Sequence, residues 1–143
     1  MSSFDYAVLL TPDKDGGYVV TCRDLPEVIT QGETLKEALS EAKDAMDESF
    51  SLRIADNLDF PSPSSCLTGE HLISPPVETQ IKAFLYLALR ENKVTKAELA
   101  RRLSVDEKSV RRLLDPHYPS KLPRMAEAME ALGRRLVITV DAE

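Results

Sequence analysis

The chain is poor in the residues from which redox, metal and membrane proteins are built. Only two cysteines, Cys22 and Cys66, occur in 143 residues. Two are too few for a disulfide framework, and their spacing matches no thiolate metal site. The two histidines, His71 and His117, are too scattered to complete one, so neither metal nor cofactor is expected. No apolar run is long enough to span a bilayer, and no signal or transit sequence is visible; a cytoplasmic location without a membrane partner is expected. No internal repeat is visible either. Basic residues are the scarcer charge, 18 Lys and Arg against 24 Asp and Glu, which leaves a formal net charge of -6.

That scarcity is uneven. Residues 1–74 carry a net charge of -9 and residues 75–143 a net charge of +3. The length allows one ordinary domain or two small ones, and the asymmetry favours two. We expect an N-terminal domain over 1–73, with a linker over about 56–74, and a C-terminal domain over 75–143. The split suits one half to nucleic acid and the other to a different partner, such as a basic protein. A plain acidic soluble domain is the competing reading.

The strongest local pattern lies between Thr95 and Leu114. Thr95 with Glu98 three residues on is a capping box, in which the hydroxyl takes the Glu98 amide and the carboxylate reaches back to the Thr95 amide. Leu99, Ala100 and Leu103 share one face of the helix so begun. Asp106 can cap a second helix whose inward residues are Val110, Leu113 and Leu114. This spacing predicts a helix-turn-helix, with the second helix presented to a DNA major groove. Lys108, Ser109, Arg111 and Arg112 are left outside, side chains suited to phosphates and to the acceptor edge of guanine. From Lys93 to Arg124 there are nine Lys and Arg against four Asp and Glu, a basic surplus within an acidic chain. The competing reading is an arginine-rich amphipathic pair on a solvated face.

The segment resembles the phage-repressor-like helix-turn-helix family through Val94-Thr95-Lys96, Glu98-Leu99-Ala100, Leu103-Ser104-Val105, Ser109-Val110 and Ala131-Leu132-Gly133. It departs at Lys96, where the family usually has a phosphate-contacting Gln, and at Ser104, where it usually has a turn Gly. Lys96 can still hold a phosphate as a point charge. Thr95, Lys96, Lys108, Ser109, Arg111, Arg112 and, in the following loop, Lys121 are the candidate DNA-binding residues.

Elsewhere the periodicities predict a small α+β layer. Phe4, Tyr6, Val8 and Leu10 alternate as in a strand; Gly16-Gly17 turns the chain into a second strand over 18–23. Pro26 breaks the ladder, and Glu27-Val28-Ile29-Thr30 fits a third strand ended by Gln31-Gly32. Thr34 and Glu37 open a helix whose stripe is Leu35, Ala38, Leu39, Ala42, Ala45, Met46 and Phe50. Residues 56–69 read as a loop or hinge, with a brief strand at Leu72-Ile73. Pro75-Pro76 starts a helix lined by Ile81, Phe84, Leu85 and Ala88; another, with Met125, Ala128, Met129 and Leu132, closes at Gly133. Arg134–Val140 reads as a last strand, its backbone satisfied by a second copy of the chain in a homodimer or tetramer.

Gly16-Gly17-Tyr18-Val19-Val20, Asp24-Leu25-Pro26, Thr30-Gln31-Gly32-Glu33-Thr34, Glu37-Ala38-Leu39 and Ala42-Lys43-Asp44-Ala45 together resemble the HicB antitoxin family. The resemblance implies a type II antitoxin. Its N-terminal domain, a partial ribonuclease-H-like fold, would block a small basic mRNA-cleaving HicA-type toxin, while the other domain represses the operon at operator DNA. A class-distinct alternative is a free-standing transcriptional regulator with an N-terminal ligand sensor. A two-metal nuclease needs carboxylates converging on one point. Asp5, Asp13, Asp15 and Asp24 show no such convergence, so no hydrolytic activity is expected.

Overall fold

The computed structural model describes residues 3–142. They form a mixed α+β protein with a four-stranded antiparallel sheet and five helices, and the chain divides into two compact units, Met1–Gln80 and Ile81–Glu143.

The first unit holds β1 (Tyr6–Pro12), β2 (Tyr18–Cys22), β3 (Ile29–Gly32), α1 (Leu35–Ala55) and β4 (Glu70–Ile73). Gly16 and Gly17, at φ 98° and 76°, make the β1–β2 turn where a side chain would be strained. The third strand begins two residues later than its composition suggests and runs on through Gln31-Gly32. Pairing with β2 reaches Tyr18↔Gly32, and Gly32 lets α1 begin close against that end of the strand: a Cβ there would lie 2.4 Å from the Ala38 amide nitrogen. Thr34 caps α1 by accepting the Glu37 amide at 3.1 Å. Ala38, Ala42, Met46 and Phe50 are buried, whereas Leu35 is exposed.

The sheet order is β3-β2-β1-β4, so the first strand sits inside and the last in sequence completes it through Tyr6↔Ile73 and Val8↔His71. The core above is aromatic. Phe4 meets Phe50 edge-on at 5.2 Å between ring centroids, and Phe50 lies 4.7 Å from Phe60, an arrangement that adds to simple burial.

Phe60 belongs to the segment read as a loop or hinge, and the segment is largely a loop without regular structure, held in place by side chains. Residues 56–69 are strapped to the sheet. The Tyr6 hydroxyl donates to the Pro61 carbonyl at 2.7 Å; the Ser64 amide and hydroxyl both donate to the Asp24 carboxylate at 2.7 Å; Arg23 donates to the Ser65 carbonyl. Burial pushes the Tyr6 phenol above its usual range. The segment lacks regular periodicity because distant side chains, and not a backbone ladder, hold it.

The second unit contains most of α2 (Val77–Glu91), then α3 (Lys96–Leu103), α4 (Glu107–Leu114) and α5 (Leu122–Ala131). Its core is Ile81, Leu85, Ala88 and Leu89 with Leu99, Val110, Leu113, Leu114, Met125, Ala128, Met129 and Leu132. The inward residues read from the 3.6-residue period are buried, except that Phe84 and Leu103 are only half-buried. Helix α5 ends in a Schellman motif: Gly133, at φ 73°, donates to Glu130 and Arg134 to Met129.

Beyond it the expected strand over Arg134–Val140 is not formed in the single chain. Val137, Ile138 and Val140 are exposed. Alternation supplies a strand's side-chain pattern, but the ladder needs a neighbouring edge, and the four-stranded sheet belongs to the other unit.

Candidate nucleic-acid interface

Helices α3 and α4 are short, eight residues each, below the length at which an isolated helix is stable. Caps and packing must define them. Thr95 accepts the Glu98 amide at 3.0 Å, and Asp106 accepts the Ser109 amide at 2.8 Å and its hydroxyl at 2.7 Å. Those two bonds hold the Asp106 carboxyl below its ordinary range. The reciprocal half of the first capping box is absent from the Thr95–Glu98 pair. The Glu98 carboxylate instead takes Arg101 at 2.5 Å and Arg102 at 3.1 Å, which lowers its own pKa, Arg101 first. A guanidinium one turn on is a stronger partner than a half-solvated amide.

Between the helices Ser104 adopts φ 55°, ψ 43°, the left-handed region that glycine enters freely and other residues at a cost. The turn has the shape a Gly would make. Its amide and that of Val105 return to Arg101 and Ala100, so the chain leaves α3 with its last carbonyls satisfied.

Thr95 and Lys96 lie at the exposed start of α3; Lys108, Arg111 and Arg112 are exposed on α4, and Ser109 is half-buried. Lys121 is exposed at the N-cap of α5. Ser109, Arg112 and Lys121 come together as lining of a groove of about 430 Å³, joined by Tyr118, Ser120 and Arg124. Thr95, Lys96, Lys108 and Arg111 do not line it. The Arg112 guanidinium lies 5.0 Å above the centre of the Tyr118 ring, a cation–π contact that restricts its direction while leaving its N–H edges free for an acceptor.

Two groove residues, Tyr118 and Arg124, escape sequence reasoning. Arg124 pairs with Glu127 at 3.6 Å, and only the fold shows that it faces the same recess. Lys82, which does not line the groove, is fully buried beneath the 115–120 connection; its signal is a single lysine inside the apolar run Ile81–Leu89.

Three of the four carboxylates considered as metal ligands accept protein donors. Asp5 accepts the Ser74 hydroxyl and Asp24 accepts Ser64, while Asp13 accepts the Asp15 amide in the turn at 3.4 Å. Among the described residues no group of three His, Cys, Asp or Glu is set to hold a metal ion. No helix among them is long and apolar enough to cross a membrane.

The chain is similar to known proteins along nearly its whole length. A family model described as the HicB-like antitoxin of bacterial toxin–antitoxin systems matches residues 5–84. Antitoxin HicB of Escherichia coli strain K12 is 37% identical over 135 residues, covering 94% of this chain and 98% of that protein. Antitoxin HicB of Pseudomonas fluorescens is 36% identical over 143 residues, with 97% and 95% covered. Antitoxin HicB 1 of Photorhabdus laumondii is 32% identical over 136 residues, with 95% and 86% covered. Similarity of this extent across both units, added to the sheet, the single long helix and the paired short helices, places the chain in the HicB-like antitoxin family.

Proposed function

We propose that the protein is an antitoxin that neutralises a small, basic, mRNA-cleaving HicA-type toxin and represses its own operon by binding operator DNA. The observation that carries this reading is its collinearity with antitoxin HicB proteins over nearly the whole chain. The first unit, a partial ribonuclease-H-like layer in this reading, offers an acidic surface complementary to a basic partner, which favours rapid encounter and the correct orientation. The second reads as a helix-turn-helix of the phage-repressor-like kind. Capped α3 and α4, joined through left-handed Ser104, present Lys108, Ser109, Arg111 and Arg112 on the second helix. Thr95, Lys96 and Lys121 hold flanking phosphates.

Operator recognition by this motif needs two copies at half-sites about 34–36 Å apart. Residues 134–140 suit the task, since pairing with the same segment of a second chain would satisfy their backbone and cover Val137, Ile138 and Val140. The domain division proposed is 1–73 for the toxin and 75–143 for DNA and self-association. No catalytic step is assigned to the protein, and its place of action is the cytoplasm.

The test is co-expression with the product of the adjacent reading frame, followed by co-purification and by binding to the duplex upstream of the gene. A small basic protein should co-purify and lose its RNA cleavage. Arg111→Ala and Arg112→Ala should weaken duplex binding and leave neutralisation intact. Loss of neutralisation with retained repression would reverse the allocation of tasks. If no neighbour binds while duplex affinity responds to a small ligand, the protein is a free-standing regulator.

A further inference from the structure

The most unusual side chain in the second unit is Lys82. It stands on α2 with no solvent exposure, next to buried Ile81 and Ala83. Removing an ammonium from water costs several kcal/mol unless its protons find oxygen partners. Here Nζ donates to the Arg112 carbonyl at 2.9 Å, the Asp115 carbonyl at 2.7 Å, the Tyr118 carbonyl and the Ser120 hydroxyl at 2.9 Å. The three ammonium protons therefore have no shortage of oxygen acceptors.

Those oxygens share a purpose. Arg112 is in the last turn of α4, whose terminal carbonyls have no partner within the helix and carry the negative end of its dipole. Asp115, Tyr118 and Ser120 follow in the connection to α5. A single cation thus ties the end of α4 to three points along the next six residues. The loop so fixed sets the Tyr118 ring beneath Arg112 and leads directly to Lys121. A methionine would fill similar volume without the cost of burying charge, but the Arg112 and Asp115 carbonyls would keep only the local amides of Asp115 and Tyr118, and the tie from the connection back to α2 would be lost.

We propose that Lys82 is a positioning residue for nucleic-acid binding: without meeting the ligand, it holds the 115–120 connection so that Arg112 and Lys121 meet the phosphate backbone together. This rests on the DNA-binding reading above.

The experiment uses the full chain with Lys82→Met and, as a second variant retaining two donors, Lys82→Gln. Amide hydrogen exchange by NMR reads the loop without DNA; titration of the duplex upstream of the gene at several salt concentrations reads the function. Loop amides 115–121 should exchange faster in Lys82→Met while those of α3 do not. Duplex affinity should fall roughly tenfold, and the log–log salt slope should drop by about 0.9 for each phosphate that is no longer neutralised. Combined with Arg112→Ala or Lys121→Ala, Lys82→Met should add little further loss, whereas with Lys96→Ala the losses should add. Where Lys82→Met does not fold, Lys82→Gln must show the same pattern in weaker form. Unchanged loop exchange, or an unchanged slope with additivity throughout, would overturn the proposal. If the unmodified protein shows no preference for that duplex, the DNA-binding reading fails instead, and loop exchange alone then decides whether Lys82 orders the connection.

Discussion

The unit ending at Gln80 and the unit beginning at Ile81 solve stability in different ways. In the first, residues far apart in sequence meet: Asp24 with Ser64, Tyr6 with Pro61, Asp5 with Ser74, and the rings of Phe4, Tyr6, Phe50 and Phe60 from three separate segments. In the second, much of the geometry is decided within a few residues, by Thr95 on Glu98, Asp106 on Ser109 and Gly133 at the end of α5. Ties that reach further there run from Lys82 to the 115–120 connection, from Arg102 to the Ala131 carbonyl and from Arg134 to Glu91, and of these only that of Lys82 is buried. Non-local structure gives a rigid platform that tolerates little backbone change; local structure gives short helices whose outward residues can vary freely.

The largest expected effect tests whether the units are energetically separate. Gly32→Ala would press a methyl onto backbone atoms of Ala38, 2.4 and 2.6 Å away, neither able to move without shifting α1. A loss of about 3 kcal/mol or more is expected for the first unit. Calorimetry of the full chain should show the transition of that unit lowered while the other stays. A common shift of both would break the comparison.

Next, Arg111→Ala should cost roughly 1–3 kcal/mol in duplex affinity with no change in either melting transition, because its side chain is exposed. Fluorescence anisotropy with the upstream duplex measures it. A lowered melting temperature would mean that the basic face carries part of the packing.

A pH effect follows for the first unit. Arg53, bonded at 2.5 Å, and then Ser49 hold the Glu27 carboxyl down to about 2. A depressed carboxylate stabilises above its unfolded pKa, and the contribution disappears as pH falls from about 4.5 toward 2. Allowing for partial exposure, it should amount to about 1–2 kcal/mol. Denaturant unfolding at pH 6 should separate the parent from Glu27→Gln, and the gap should close near pH 2.

Smallest is Ser104→Gly. Relieving left-handed backbone at φ 55° should stabilise the second unit by up to about 1 kcal/mol, offset partly by glycine's greater freedom when unfolded. Destabilisation would show that the Ser104 side chain contributes something beyond its backbone shape.

What could be read from residue types follows the same division. Thr34, Thr95 and Asp106 marked helix starts because a cap and its amide lie three residues apart. The role of residues 56–69 could not be read, since Phe60, Pro61 and Ser64 find partners that no local pattern names. Leu136, Ile138 and Val140 had a strand's alternation and no edge to join. Glu98 kept its helix start yet turned its carboxylate to Arg101 and Arg102, a competition that spacing alone does not rank. Of the basic face, Arg112 and Lys121 were legible as cations, but their shared groove with Tyr118 and Arg124 depends on a fold around Lys82.

The order β3-β2-β1-β4 also sets a schedule for synthesis. During translation, β1 can pair with β2 almost at once, yet its other edge stays open until Glu70–Ile73 have left the ribosome. For that interval the nascent chain carries an unpaired edge beside its future aromatic core, the condition in which strands join wrong neighbours. Closure comes before α3, the first helix with a basic surplus, emerges, so the sheet can be finished while the more basic half is still being made.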